Sequence, residues 1–167
     1  RNLPNENHVT KKSDNQFVES FRFVLPGYNV RPLEMSGAIG TQQLLKLPDF
    51  LKQRKKNAQT FNKLFLNQSN FTLQKEIGNS SWFGFSLIIN SNIKREKIIK
   101  KLLEANIDVR PIVTGDFTKN QVLKYFDYSI HGQLLNAKKV DEMGFFVGNS
   151  HEDLTDELNY LHRILSK

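Results

Sequence analysis

Residues 28–31, Tyr-Asn-Val-Arg, combine two anion-binding side chains with a backbone of few conformations. A Pro–Gly pair precedes them and Pro32 follows, and proline restricts both its own φ and the residue before it. The Asn29 amide donates hydrogen bonds, and the Arg31 guanidinium presents a planar fork that fits a phosphate or a carboxylate. This turn is a candidate anion site, although a well-made turn with a surface arginine would have the same residues.

A second candidate lies at residues 110–117, which read RPIVTGDF. A predicted strand ends there in a turn that carries Arg110, Thr114 and Asp116. These side chains offer one guanidinium, one hydroxyl and one carboxylate within seven positions. A well-made turn with a surface arginine would have the same residues here too, so the residue chemistry by itself names no reaction.

Common catalytic and metal-binding motifs are missing from the sequence. Neither a phosphate-binding glycine loop nor the G-x-S-x-G nucleophile elbow occurs. The four histidines are scattered and the chain has no cysteine, so the spacing predicts no metal site.

The composition is that of one soluble domain. The chain has 167 residues, of which 38% are hydrophobic and 25% charged, and no apolar run reaches the ~18 residues that span a bilayer. We therefore expect a cytoplasmic protein without a membrane partner. The formal net charge of +7 fits either solvated lysine-rich helix faces or recruitment of an anionic small molecule. No nucleic-acid partner is expected, because zinc-finger spacing and RNA-binding aromatic patterns are both absent.

The hydrophobic periodicity predicts an α+β domain in which helices cover a small sheet. Residues 1 to about 20 are predicted to be a loop. Four strands are predicted, at 21–25, 71–76, within 80–89 and at 108–113, with a further short strand at 145–147. The predicted helices run from Pro32 to about 46, from Pro48 onward, over 94–105, 119–127 and 134–143, and from an N-cap at Ser150 to the end.

Two glycines interrupt the first long helix. Gly37 and Gly40 share a face with Thr41 and Leu44, and each glycine costs a helix roughly 1 kcal/mol relative to alanine. A neighbouring element must therefore approach this face closely. Close packing inside this domain and contact with another subunit both remain open.

Five segments together resemble a known family. They read RNLP at 1–4, GYNVRPLEMSGAIG at 27–40, SSWFGFS at 80–86, RPIVTGDF at 110–117 and GFFVGN at 144–149. The chain resembles the DegT/DnrJ/StrS-like nucleotide-sugar aminotransferases and dehydratases. The resemblance implies the aspartate-aminotransferase fold of type I pyridoxal-phosphate (PLP) enzymes, of which this chain would be the C-terminal part. Residues 1–32 would lead to the GYN turn, and 33–167 would form the small domain with the interdomain helix. The large cofactor-binding domain would be absent, so we expect no catalytic residue here and no turnover by this chain alone.

The resemblance also implies roles for five residues. Asn29 would reach across a homodimer to the cofactor phosphate of the neighbouring subunit. Arg31 would meet a glutamate carboxylate or the phosphates of the sugar nucleotide. Arg1 and Phe21 would border the sugar pocket, and Arg110 would hold a carboxylate or a substrate oxygen.

The branch of the family that the motifs indicate implies a particular reaction. It would remove the C3 hydroxyl of a GDP-linked 4-keto sugar, with glutamate as amino donor and the cofactor in its pyridoxamine form, on a route to the O-antigen sugar colitose. A sugar aminotransferase and a non-catalytic binding domain are the alternatives. Asp116 departs from the branch, which usually has Asn there, and an acid in a phosphate-binding pocket would add repulsion.

Overall fold

Alternating apolar side chains make Gly84–Ile89 the central strand of the fold. In a computed structural model that describes residues 14–23, 25–27, 33–90 and 92–166, this strand (β2) lies between two antiparallel neighbours. Phe71–Leu73 (β1) pairs on one side, with Phe71 opposite Ile89. Gly144–Gly148 (β3) pairs on the other, with Phe85 opposite Val147. The strands predicted at 71–76, 80–89 and 145–147 are confirmed with shorter bounds for the first two.

Five α-helices and two 3₁₀ helices accompany this sheet in the described part of the chain. The α-helices are Gln16–Glu19 (α1), Glu34–Phe65 (α2), Arg95–Glu104 (α3), Leu135–Met143 (α4) and Thr155–Leu165 (α5), and the 3₁₀ helices are Phe117–Lys119 and Gln121–Tyr125. The predicted α+β class, a small sheet covered by helices, is confirmed. Among the described residues no helix is long and apolar enough to cross a membrane.

One hydrophobic core joins the sheet to α2, α3 and α5. Phe61 of α2 stacks on Phe65 at 4.7 Å between ring centroids and on Phe85 of β2 at 4.5 Å. A leucine stripe is predicted for the last helix, and its members Leu158 and Leu161 are buried. These two residues are three positions apart, which places them on one face of the helix. The core therefore depends on the second half of α2, which supplies its two stacked phenylalanines.

Helix α2 runs without interruption through Pro48, so the predicted break at that residue is wrong. Proline removes one backbone hydrogen bond from α2, but the helical turns before and after Pro48 keep their hydrogen bonds. The second half of α2 is also anchored in the core. All the buried residues of α2 lie at or beyond Asn57. The first half of a helix about 48 Å long therefore extends past the core.

Two predicted strands are also wrong. Phe21–Phe23 form a turn and an irregular stretch instead of a strand, with residue 24 outside the described residues. Between residues 108 and 113 only Arg110 pairs, in a single bridge with Phe146. Apolar alternation predicts a buried face, yet neither segment forms a continuous ladder with another described strand.

The N-termini of two helices differ from the prediction. Within the predicted N-terminal loop, the Asn15 side chain accepts hydrogen bonds from the amides of Phe17 and Val18 and so caps the short α1. At α5 the predicted Ser150 cap is wrong. The carboxylate of Asp153 accepts from the Thr155 amide and hydroxyl just before that helix, at 3.1 and 2.5 Å.

Candidate functional site

The structure locates two of the five predicted site residues. Phe21 is partly buried in the turn after α1, and Arg110 is exposed at the edge of the sheet. Arg1, Asn29 and Arg31 lie outside the described residues. The site is therefore built here around Arg110 and the loop that follows it.

The backbone of Arg110 is anchored to β3 while its side chain is left free. The Arg110 amide donates to the Phe146 carbonyl at 3.0 Å, and the Phe146 amide donates back to the Arg110 carbonyl at 2.8 Å. The guanidinium has no hydrogen bond or ion pair with any described residue. A fixed backbone that carries an unpaired guanidinium is suited to bind a phosphate or carboxylate.

Two left-handed residues shape the turn after Arg110. Val113 has φ +46° and Gly115 has φ +54°, and the Gly115 amide donates to the Ile112 carbonyl at 3.0 Å. A Cβ atom on Gly115 would come within 2.5 Å of the Asp141 Cα, so glycine is required for space as well as for conformation. The turn thus packs directly on the C-terminal end of α4.

The end of α4 is in turn held by two cations. The Arg95 guanidinium of α3 donates to the carbonyls of Asp141 and Gly144. The Lys119 ammonium lies 2.6 Å from a carboxylate oxygen of Asp141 and 3.5 Å from one of Glu142. The hydrogen bond with Asp141 raises the pKa of Lys119. These contacts join α3, α4 and the loop after Arg110 into one unit.

Asp116 is a capping residue in this structure. It is 2% exposed, and its carboxylate accepts from the Thr118 hydroxyl at 2.6 Å and from the Thr118 amide at 3.1 Å. The hydroxyl hydrogen bond is the largest cause that lowers the pKa of Asp116. Asp and Asn are equally good helix caps, so the departure from the branch has a structural explanation. The expected repulsion of a bound phosphate has no support, because the carboxylate faces its own 3₁₀ helix.

The segment that carries Phe21 docks on the same loop. The Phe23 amide donates to the Asn120 side chain at 3.3 Å, and the Phe23 carbonyl accepts from the Val122 amide at 3.2 Å. The rings of Phe23 and Phe117 lie 6.0 Å apart. Phe21 and Arg110, far apart in sequence, are therefore on segments that the structure joins.

A buried polar network near α2 was missed by the sequence analysis. Asn57 is 1% exposed, and its side chain bonds to five groups: Gln53 Nε2, Asn149 Oδ1, the carbonyls of Ser150 and Glu152, and the Leu154 amide. Arg54 donates to the carbonyls of Ser81, Trp82 and Asn149. A polar residue on the apolar face of a predicted helix was the available signal. This network ties α2 to the loops that flank β2 and β3, and its role is structural.

The glycine face of α2 is open in the described part of the chain. No atom of a described residue would lie within 4 Å of a Cβ placed on Gly37 or Gly40, so the described part of this domain does not pack closely on these glycines. Large apolar side chains on the same half-helix are more than 60% exposed: Leu33, Met35, Ile39, Leu44 and Leu45. Exposed apolar side chains gathered on one half of a helix are typical of an interaction surface.

These features define an α+β domain in which, among the described residues, the Arg110 turn carries an unpaired guanidinium and one helix face is open. Residues 4–160 match the DegT/DnrJ/EryC1/StrS aminotransferase family, and the chain belongs to that family. It is 55% identical to a Yersinia pseudotuberculosis protein named GDP-4-keto-6-deoxy-D-mannose 3-dehydratase, over 171 positions that cover 100% of this chain and 44% of the relative. The chain thus spans less than half the length of the curated relatives it matches.

Two solved structures show the same fold. One is GDP-4-keto-6-deoxymannose-3-dehydratase with a trapped PLP–glutamate geminal diamine, at 54% identity and a TM-score of 0.79, matched over 94% of this chain and 42% of that one. The other is an H188N mutant of the dehydratase with bound GDP-perosamine, at 55% identity and a TM-score of 0.79, matched over 98% and 44%.

Proposed function

We propose that this chain is the C-terminal part of a PLP-dependent GDP-4-keto-6-deoxy-D-mannose 3-dehydratase. The observation that carries the proposal is 55% identity to such an enzyme along the whole chain. Residues 1–32 then lead to the GYN turn, and 33–167 form the small domain with α2 as the interdomain helix. The reaction is removal of the C3 hydroxyl with glutamate as amino donor, in the cytoplasm, on the route to colitose in O-antigen.

Neither Phe21 nor Arg110 lines the two cavities that open beside Phe50 and His151 and between α1 and α3. We infer that most cofactor contacts come from protein outside this chain, and that Asn29 is the contribution made here. PLP, when bound, supplies the electron sink of the reaction.

This chain then contributes substrate contacts. Arg110 is assigned to a carboxylate or a substrate oxygen, which its anchored backbone and unpaired guanidinium support. Arg31 is assigned to the glutamate carboxylate or the GDP phosphates. Arg1 and Phe21 are assigned to the border of the sugar pocket.

A chimera tests the proposal. The region of the Yersinia relative that matches this chain is replaced by residues 1–167, and the product is assayed with PLP, glutamate and GDP-4-keto-6-deoxy-D-mannose. We expect a 3-deoxy sugar and released ammonia from the chimera, and no turnover from the chain alone. A folded, PLP-loaded chimera without turnover would instead favour the binding-domain alternative. Turnover by the chain alone would refute the missing-domain assignment.

The natural gene product decides between dehydratase and aminotransferase. The chimera takes its cofactor-facing residue from the relative, so it does not address that difference. We expect the natural product to carry His at that position and to release ammonia. Lys there, with nitrogen retained at C4 of the sugar, would establish the aminotransferase.

We further propose that the open face of α2 contributes to a homodimer. Gly37 and Gly40 leave room for a close approach, and the surrounding side chains are apolar and exposed. Gly40→Leu in the chimera should weaken the dimer, as measured by analytical ultracentrifugation. Gly78→Leu, at an equally open glycine outside any helix, is the matched control. An unchanged dimer in Gly40→Leu would contradict this role.

A further inference from the structure

Val113 adopts a backbone conformation that its side chain disfavours. Its φ is +46°, and for a β-branched residue this left-handed region is a steric outlier. The side chain is 56% exposed, so burial of the valine does not offset the strain. Residues held in such conformations persist only where their surroundings over-determine them, and they concentrate at ligand-binding and catalytic sites.

The surroundings of Val113 do over-determine it. Upstream, Arg110 is held by its two backbone hydrogen bonds to Phe146. Downstream, Gly115 fits against Asp141 with no space for a Cβ, and Asp116 is buried as a cap. The hydrogen bond from the Gly115 amide to the Ile112 carbonyl closes the turn around Val113. With both ends fixed, the chain between them passes through a left-handed residue.

The other described non-glycine residues with positive φ are held by their own local partners, as Val113 is held by its closed turn. Asn106 follows the C-terminus of α3, where a left-handed asparagine is common. Trp82 is buried, and its carbonyl accepts from Arg54 and Asn149. Beside Val113 the unusual feature is Arg110, whose guanidinium is exposed and unpaired within the described part of the chain.

We propose that Val113 is a positioning residue, whose left-handed conformation holds the Arg110 turn in one arrangement before an anion binds. This inference rests on the proposed function, in which Arg110 contacts a carboxylate or a phosphate. An exposed arginine loses side-chain freedom when it binds, and a turn that is already ordered adds no further ordering cost. The strained conformation of Val113 thus orders the turn before the anion binds.

Two substitutions separate the conformation from the side chain. Val113→Gly permits the left-handed conformation but admits many others, so the turn loses its order. Val113→Asn keeps a strong preference for the left-handed region, because Asn tolerates it better than other non-glycine residues. Ile130→Gly, at an exposed apolar residue in another loop, controls for the introduction of glycine.

The kinetic test uses the chimera and a second variant, Arg110→Ala. We expect Val113→Gly to lower kcat/KM about tenfold, which corresponds to about 1.4 kcal/mol, without a lower melting temperature. Val113→Asn should remain within about twofold of the unsubstituted chimera, as should Ile130→Gly. In the Arg110→Ala background, Val113→Gly should have no further effect on kcat/KM. An undiminished effect in that background, or an equal loss in Val113→Asn, would overturn the inference.

Amide hydrogen exchange in the same proteins gives a readout that does not depend on turnover. The Gly115 amide, which closes the turn, should exchange about tenfold faster in Val113→Gly and at an unchanged rate in Val113→Asn. An inactive unsubstituted chimera would count against the proposed function, while the exchange rates would still decide whether Val113 orders the turn. Equal exchange of the Gly115 amide in both variants and the unsubstituted chimera would refute the inference.

Discussion

Replacement of Asn57 by alanine should be among the most destabilising single changes in this chain. The side chain is buried on α2 and satisfies the Glu152 carbonyl at 2.7 Å and the Leu154 amide at 3.2 Å, both at the start of α5. Its other partners, the Gln53 and Asn149 side chains and the Ser150 carbonyl, belong to half-buried residues. Two unpaired backbone groups at about 1–3 kcal/mol each give a loss of about 2–6 kcal/mol. Against a typical total of about 5–15 kcal/mol, that is a large fraction.

Urea unfolding of the chain, followed by far-UV circular dichroism at several protein concentrations, measures this loss. The midpoint should fall without a change in slope, and the melting temperature should drop by roughly 5–15 °C. Asn159→Ala is the matched control, because Asn159 is exposed on α5 and bonds only within its own helix. A loss below about 1 kcal/mol in Asn57→Ala would refute the reasoning that this side chain joins α2 to α5.

Two further predictions concern packing and pH. Gly84 and Gly148 are opposite each other in the sheet, but only at Gly84 would an added Cβ meet Phe146 Cδ2, at 2.7 Å. In urea unfolding, Gly84→Ala should therefore lower the free energy of unfolding by about 1–3 kcal/mol, and Gly148→Ala by less than about 0.5 kcal/mol. Equal losses would contradict this difference in space between the two strand positions. The hydrogen bond from Lys56, together with those from the Thr155 hydroxyl and amide, lowers the pKa of Asp153 from 3.8 to about 2. Because this folded-state pKa lies below the unfolded value, the stabilisation is complete above about pH 4 and is lost as the pH falls through 2. The urea midpoint of Asp153→Asn should accordingly depend less on pH between 4 and 2, and an unchanged acid dependence would count against the ion pair.

The sequence correctly predicted those strands and helices in which the spacing of apolar residues matches the face that is buried. Phe85, Leu87 and Ile89 alternate in the sequence and are buried in β2, and the leucine stripe of α5 is buried as well. The family resemblance pointed to Arg110 through the RPIVTGDF motif and to Phe21 as a matching position. The structure adds that they lie on joined segments, a contact between residues about ninety positions apart that no local pattern contains.

Other expectations failed because a distant partner decided the outcome. A proline such as Pro48 would break an isolated helix, which is held only by its own hydrogen bonds. In α2 the residues beyond Pro48 are anchored in the core. Phe21 and Phe23 alternate as in a strand, yet the backbone of Phe23 bonds to the loop at 120–122. In each case the local propensity was opposed by a tertiary contact.

The amino-acid sequence by itself determined the α+β class, the order of the main elements, most of the core and the family, since all of these depend on local periodicity or on short motifs. Only the tertiary structure decided that Gly115 must be a glycine for lack of space, that Asp116 caps a 3₁₀ helix, and that Gly37 and Gly40 face no neighbour within the described chain. These are distances between atoms brought together by folding, and the spacing of residues along the chain does not encode them directly.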